Sequence, residues 1–408
     1  MSEPLLDRLV QEELARRSGS RNLRVRRCLG ALDSSHIQLD GRQYVNFASN
    51  NYLGLTHHPR VIAAAEAALR TCGGGAGASP LITGYTAHHA AAESAIAAWK
   101  GTEAAILLPS GYQAAHAAIG ALGAVASFHQ PGVRFLCDKL CHASFLDAVA
   151  ASGSPIRIFP HNGLDKLARL LADAPPDQLQ VVLTESIFSM DGDAADLAGL
   201  AELKRRHAFV LLLDEAHASG IYGANGAGYA AECGLASAVD ISIVTLSKAI
   251  GVAGGVVCGS RAFCDGIVNW GRAYIYSTSI PPAIAVAAAA SIQVMADEPH
   301  RQHRLRLLAR QVRSRLGEAG LRLPPGDSPI IPIILGSEAA ALTAAQLLQE
   351  LGLLVLAIRP PTVPRGASRL RVTLSCDHTD EEIGRLVDAI IALGANKQGV
   401  PEDSSGTP

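Results

Sequence analysis

The side chains best placed for covalent chemistry are one lysine and one acid, each at the end of an apolar run. Residues 209–214 close on Asp214-Glu215-Ala216-His217, and residues 241–246 run into Ser247-Lys248. Taken singly, Asp214 reads as a strand-end turn residue and Lys248 as a solvated loop lysine. Together they form a constellation, because ligands of open α/β sheets collect outside the carboxyl ends of the strands. Lys248 also lies between buried apolar runs, with Gly251, Gly254 and Gly255 crowding after it. An ammonium group in that setting has a chemical use as the amine of an imine with an aldehyde cofactor.

Pyridoxal phosphate needs a lysine for its aldehyde, an acid for its pyridine nitrogen, donors for its phosphate and a flat group against its ring. Lys248 and Asp214 answer the first two, Asp214 as the charge-assisted partner of a pyridinium. Ser110-Gly111-Tyr112 precedes a helical pattern, so backbone N–H groups and a positive helix end would face the phosphate. Thr245 and Ser247 add hydroxyl donors. His142 opens another helical pattern after 133–138, and it reads either as a helix-start cap or as a ring stacked on the cofactor.

These residues need a scaffold, and the chain is long enough to supply one. At roughly 150 residues per domain, 408 residues suggest two to three structural units. A hydrophobic content of 49% supports a large core and excludes a disordered chain. With 37 acidic and 35 basic side chains the net charge is −2, which excludes the basic field of a nucleic-acid binder. The apolar stretch 283–291 is far shorter than the ~18 residues of a membrane span. The N-terminal MSEPLLDRLVQEELARR is charged and helical in pattern, with no signal-peptide core. Eight cysteines without a CxxC pair indicate neither a disulfide framework nor a zinc ribbon. A cytoplasmic protein is expected.

Apolar runs at 133–138, 156–159, 180–184, 209–214, 241–246 and 255–258 predict buried strands. Helical patterns at 88–99, 142–152, 163–172 and 196–207 separate them, and the alternation predicts a mostly parallel α/β sheet. After Pro281-Pro282 two long helical patterns, 283–297 and 300–319, lead to a smaller unit. That unit reads as strand 330–334, helix 338–351, strands 353–358 and 369–374, and helix 380–393. The domains expected are an N-terminal helix and segment, 1–58, a large cofactor-binding domain, 59–295, and a C-terminal αβ domain, 296–395. Residues 396–408 lack apolar content and read as a disordered tail.

Asp214-Glu-Ala-His217, Thr245-Leu-Ser-Lys248-Ala and Tyr276-Ser-Thr-Ser279-Ile-Pro-Pro resemble motifs of the α-oxoamine synthases, pyridoxal phosphate enzymes of aspartate-aminotransferase fold type. So do Phe47-Ala-Ser-Asn-Asn-Tyr-Leu-Gly-Leu55, Gly75-Ala-Gly-Ala-Ser79, Thr83-Gly-Tyr85 with His89, His142-Ala-Ser144, and Glu185-Ser-Ile-Phe-Ser-Met-Asp-Gly192. The most specific piece is Ala357-Ile-Arg-Pro-Pro-Thr-Val-Pro364 with Arg369-Leu-Arg-Val-Thr-Leu374. The resemblance spans nearly the whole chain in the family's order. It implies fold type I, a large mostly parallel-sheet domain with a smaller C-terminal αβ domain. It also implies a homodimer with shared active sites that joins an amino acid to an acyl-coenzyme A thioester with loss of carbon dioxide.

The roles it implies are these. Lys248 is the imine lysine and general base, Asp214 the pyridinium partner, His217 the partner of the cofactor's phenolic oxygen, and His142 the stacking ring beside the substrate. Gly111, Tyr112 and Thr245 touch the phosphate, joined by Ser277 and Thr278 of the partner subunit. Glu185 and Ser189 lie near the ring, and Arg371 anchors the amino-acid carboxylate. Arg24 and Thr362 match substrate-contact positions. L-alanine and a pimeloyl thioester are the expected substrates: the pimeloyl chain ends in a carboxylate, and burying that anion unpartnered would cost several kcal/mol. Glycine C-acetyltransferase, 5-aminolevulinate synthase and long-chain aminoketone synthase activities remain alternatives, since such enzymes share the cofactor half.

Other signals are weaker. Gly73–Ala78 satisfies a GxGxxA fingerprint, but a helical pattern at 60–71 precedes it where a strand is required. The pairs His57-His58 and His88-His89 do not converge as metal ligands would, and no metal is expected. Two departures from the family pattern stand out: Asn51 where an Asp is common, removing a negative charge near the site, and Cys141 before His142.

Overall fold

In the computed structural model, which describes residues 4–19 and 23–394, the apolar runs form a seven-stranded sheet around which everything else is arranged. The expected tail at 396–408 lies outside the described residues. Three short N-terminal strands come first: β1 (Gly30–Ala31), β2 (His36–Leu39) and β3 (Arg42–Asn46). The large sheet then uses β4 (Ala104–Leu108), β5 (Val133–Asp138), β6 (Ile156–Phe159), β7 (Leu179–Glu185), β8 (Val210–Asp214), β9 (Ile241–Thr245) and β10 (Gly255–Gly259). Their spatial order is β4-β10-β9-β8-β7-β5-β6. Strands β9, β8, β7, β5 and β6 run parallel, while β10 is antiparallel to both its neighbours.

Every residue of β4, β5 and β10 is buried, as expected of strands covered by helices on both faces. Strand β4 was not among the predicted strands. Its Ala104-Ala105 start extends the alanine-rich pattern of the preceding helix, and alanine favours helix over strand. Tertiary pairing with β10 overrides that local preference.

The C-terminal strands are β11 (Ile330–Gly336), β12 (Leu353–Leu354), β13 (Leu356–Ile358) and β14 (Ser368–Thr373). The strand expected at 353–358 is thus two strands serving two sheets. Strand β13 pairs with β14 beside β11, whereas β12 pairs parallel to β3 in the N-terminal sheet. The N-terminal segment is thereby tied to the C-terminal unit, and further bonds run from Thr373 N–H to Phe47 O (2.8 Å) and from Cys376 N–H to Tyr52 O (2.9 Å). The boundary expected at 295/296 falls in the last turn of helix Pro282–Asp297. Phe47, Tyr52, Leu53 and Leu55 sit in one core cluster with Val244 and Leu246 of the lysine-bearing segment and Leu370 and Val372 of β14. Burying each such side chain contributes about 1.5–3 kcal/mol, so residues 47–55 are fixed against the end of the large sheet. No helix among the described residues is long and apolar enough to cross a membrane.

Candidate active site

Parallel pairing aligns the carboxyl ends of β7, β8 and β9, with Glu185 opposite Asp214 and Asp214 opposite Ile243. Lys248 leaves the end of β9 in a tight turn closed by Gly251 N–H on Lys248 O (3.0 Å). Gly251 has φ +76°, and a Cβ there would lie 2.6 Å from Thr56 N, so the turn demands glycine. The turn aims Lys248 Nζ at His217 Nε2, 2.8 Å away. His217 Nδ1 lies 2.6 Å from the Tyr52 hydroxyl, which in turn donates to Asn50 Oδ1 (3.2 Å). With that hydroxyl proton committed to Asn50, the Tyr52 oxygen accepts Nδ1–H, and Nε2 is left to accept from Lys248. Tyr52 is wholly buried and His217 nearly so.

Burial governs the charges in this group. It pulls the Lys248 amine down to about 8, against the opposing pull of Asp214 and Glu185. It drives His217 well below its ordinary value, with the Lys248 charge adding to the effect, so the imidazole stays neutral. His142 is lowered for the same first reason. Asp214 is raised by burial and partly restored by Lys248 and by the Ala216 N–H, 2.9 Å from Oδ1. Glu185 is raised well above the carboxylate range by burial, with the Asp214 charge adding. One Glu185 oxygen accepts from Ser189 N–H (3.1 Å), while its Oε1 is buried without a partner among the described residues.

An anion cradle lies next to the lysine. Ser110 caps helix Gly111–Ala126 by accepting from Gln113 N–H (3.2 Å). A Cβ on Gly111 would lie 2.2 Å from Thr245 Oγ1, so the helix start and the end of β9 touch across a space only glycine leaves open. Gln113 Nε2 donates to Ser277 Oγ (3.1 Å), which brings Ser277 to the first turn of the same helix. Thr278 is exposed, and the exposed Tyr112 donates to Asp147 (2.8 Å). His142 caps helix Ala143–Ser152, accepting from Ser144 N–H (3.2 Å). It is a cap in the same place where the stacking reading puts a ring. This donor set fits pyridoxal phosphate: an amine, a buried acid, an unpartnered buried carboxyl oxygen, and a helix N-terminus with a hydroxyl beside it.

Arg371 projects from β14 into the same region. Its Nε donates to Ser189 O (2.6 Å), and its Nη1 donates to Asn50 Oδ1 (3.2 Å) and Thr373 Oγ1 (3.0 Å). Arg24 and Thr362 share a small cleft with Arg17 and Arg359, and that lining includes none of the Lys248 group. The sequence offers no role for Asn50, Tyr52 or Thr373; Asn50 and Tyr52 sit inside the 47–55 motif, but only the fold brings that segment to His217 and Arg371. Asn51 turns away from this group: its amide donates to Ser34 O (3.2 Å) and Thr56 Oγ1 (2.7 Å), which an aspartate could not do. Cys141 is buried with its thiol on Leu183 O (3.3 Å), and burial raises it far above the reactive range. His58 meets Glu298 (3.1 Å) and His89 bonds Ile280 O (2.8 Å), both structural uses, and no metal-binding cluster occurs among the described residues.

The family model for class I and II aminotransferases matches residues 42–390. An 8-amino-7-oxononanoate synthase from Pseudomonas putida is 41% identical over 379 residues, covering 92% of this chain and 95% of that protein. The serine palmitoyltransferase of Sphingomonas wittichii superposes with a TM-score of 0.86 at 30% identity, covering 96% and 98% of the two chains. A structure described as SPT with PLP internal aldimine gives a TM-score of 0.87 at 28% identity with the same coverage.

Proposed function

Because the chain belongs to the class I and II aminotransferase family, and within it to the α-oxoamine synthases, we propose that it joins L-alanine to a pimeloyl thioester with loss of carbon dioxide. The product is 8-amino-7-oxononanoate, a step of biotin biosynthesis, and the cofactor is pyridoxal 5′-phosphate. The observation that carries the chemistry is the meeting of Lys248, Asp214 and Glu185 at three adjacent strand ends. The likeness to the P. putida synthase supports the substrate pair.

Bound there, the cofactor supplies an electron sink for the charge left at the amino acid's α-carbon. Asp214 would oppose the positive pyridine nitrogen, and the start of helix Gly111–Ala126 with Thr245 would receive the phosphate beside Tyr112. Lys248 moves the α-proton, and an amine near 8 is matched to that task at neutral pH. His217 accepts from Lys248 and so points the amine, Tyr52 and Asn50 fix the imidazole tautomer, and with the cofactor in place Nε2 would be the ring atom that meets its phenolic oxygen. His142 would stack on the ring. Glu185 and Ser189 border it, and Arg371, held by Ser189 and Asn50, binds the alanine carboxylate. Arg24 and Thr362 receive the far carboxylate of the acyl chain.

The working unit in this reading is a cytoplasmic homodimer of two-fold symmetry, in which each chain lends Ser277 and Thr278 to its partner's phosphate site. The exposure of Thr278 in the single chain supports that donation, for which Ser277 gives up the bond it makes to Gln113 at its own chain's helix start. A second reading, serine with a long apolar acyl chain, is favoured by the likeness to serine palmitoyltransferase. The arginines lining the Arg24–Thr362 cleft favour the carboxylate-tipped chain instead. A matrix of alanine, glycine and serine against pimeloyl, heptanoyl and palmitoyl thioesters, followed by release of free thiol, separates the two. Alanine with pimeloyl should lead; a lead for serine with palmitoyl would replace the first reading by the second.

A further inference from the structure

The segment between β7 and helix Leu197–Arg206 folds back on itself as a short hairpin. Ile187 bridges Ala194, Phe188 N–H donates to Asp193 O (2.9 Å) and Gly192 N–H to Phe188 O (2.8 Å). The hairpin tip is gripped from β14. Ser189 O accepts from Arg371 (2.6 Å), Met190 O from Arg369 (3.2 Å), and Asp191 pairs with Arg369 (2.5 Å). Gly192 has φ +67°, and a Cβ there would stand 2.3 Å from Ile330 O, so the tip is pressed against β11.

The hairpin base is held by a histidine outside the site described above. His161 Nε2 lies 2.7 Å from Asp193 Oδ2, and its Nδ1 lies 3.2 Å from Asp138 Oδ1 at the end of β5. The Phe188 ring meets the imidazole edge-on at 4.4 Å. Burial alone would lower this imidazole, but the two carboxylates outweigh it and raise His161 to about 10. Both ring nitrogens therefore donate, and the cation balances two carboxylates. Asp138 is itself a buried hub, accepting also from Leu140 N–H (2.8 Å) and Asn162 N–H (2.9 Å). Asp193 Oδ1 is buried without a partner among the described residues, so the bond to His161 is the chief satisfaction of that carboxylate.

We propose that the Asp138–His161–Asp193 bridge is a positioning element for Arg371, setting through the hairpin tip where that guanidinium meets the amino-acid carboxylate. The inference rests on the reading of Arg371 as the carboxylate anchor. The bridge ties the hairpin base to the rigid sheet, and the Ser189 carbonyl at the tip holds Arg371 Nε. With the bridge cut, Asp138 and Asp193 lose their cation and the base keeps only Asn162 Nδ2 on Ala194 O (3.1 Å) and its backbone bonds, so the acceptor that Arg371 meets at the tip is less firmly fixed while the other Arg371 bonds remain. Small displacements of a positioning group are costly to binding and turnover.

The test uses cofactor-loaded wild type, His161→Ala, Asp193→Asn and Arg371→Lys. L-alanine affinity is read from the cofactor's absorbance change, and KM is measured for the acyl thioester. His161→Ala should weaken L-alanine about tenfold while the thioester KM stays within about twofold. Asp193→Asn, which keeps an acceptor but loses the charge, should fall between wild type and His161→Ala. A loaded His161→Ala enzyme with wild-type L-alanine affinity, or with both substrates weakened in parallel, overturns the proposal. If His161→Ala does not take up cofactor, Asp193→Asn decides, and wild-type L-alanine affinity there overturns it equally. Arg371→Lys separates the two levels: unchanged L-alanine affinity in that variant removes the anchor reading itself, whereas weakening in Arg371→Lys alone removes only the bridge.

Discussion

Substituting Gly111 by alanine should cripple cofactor binding through a contact that can be measured in advance. A Cβ there would lie 2.2 Å from Thr245 Oγ1, 3.3 Å from its Cβ and 3.4 Å from its Cγ2. Ordinary contact begins near 3.4 Å, so the helix start or the end of β9 must yield by about 1 Å, an overpacking strain of about 1–3 kcal/mol. The start of β10 blocks retreat on another side, since the ideal Cβ position of Gly255 is only 2.5 Å from Gly111 N. A 1 Å displacement of the phosphate-facing amides should weaken pyridoxal phosphate on the order of 100-fold, by the sensitivity of positioned groups to such shifts. The assay is equilibrium titration of apoprotein with cofactor, followed by visible absorbance, with the double variant Gly111→Ala/Thr245→Ala as companion. The double variant should regain the lost stability but lack the hydroxyl donor. Wild-type cofactor affinity in Gly111→Ala would refute the placement of the phosphate at this helix start.

Three further outcomes are expected. Because burial lowers Lys248 to about 8, its neutral form dominates above that pH; acylation of Lys248 in apoprotein, followed by peptide mass analysis, should rise through about pH 8 and then level, and a rise continuing to the ordinary lysine range would contradict it. Asp214→Asn keeps an acceptor for Ala216 N–H but loses the charge, so turnover should fall on the order of 10³-fold with much of the cofactor retained, and activity within tenfold of wild type would remove Asp214 from the role. Mixing inactive Lys248→Ala with an inactive Ser277→Ala/Thr278→Ala chain should restore activity in heterodimers, and heterodimers shown to form without rescue would count against shared sites.

What could be read from the sequence follows the range of the forces involved. Strands β5 and β6 match their apolar runs to the residue: β5 is buried throughout, which leaves a local signature, while the edge strand β6 buries only Phe159 and is marked by its β-branched Ile156 and Ile158. Lys248 and Asp214 stood out because strand ends face one way in a parallel sheet. The Asn50–Tyr52–His217 chain was illegible for the opposite reason: its central bond joins residues 165 apart in sequence, and tertiary packing alone brings them together. Nothing local marks His161, since its two aspartates come from β5 and from the hairpin after β7. The split of 353–358 is invisible locally, as all six residues are equally apolar and the partner sheets decide. Asn51 reads differently in place, as a donor to Ser34 and Thr56 rather than a missing charge.

The central claim is that the carboxyl carbon of alanine leaves as carbon dioxide when the new carbon–carbon bond is made. The most direct measurement supplies L-alanine labelled with ¹³C at the carboxyl carbon, together with pimeloyl-coenzyme A, and follows gas and product by mass spectrometry. Labelled carbon dioxide should appear in step with free thiol and with unlabelled 8-amino-7-oxononanoate, and only when both substrates are present. Retention of the label in pyruvate, with no thiol released, would mean amino-group transfer and would contradict the assignment.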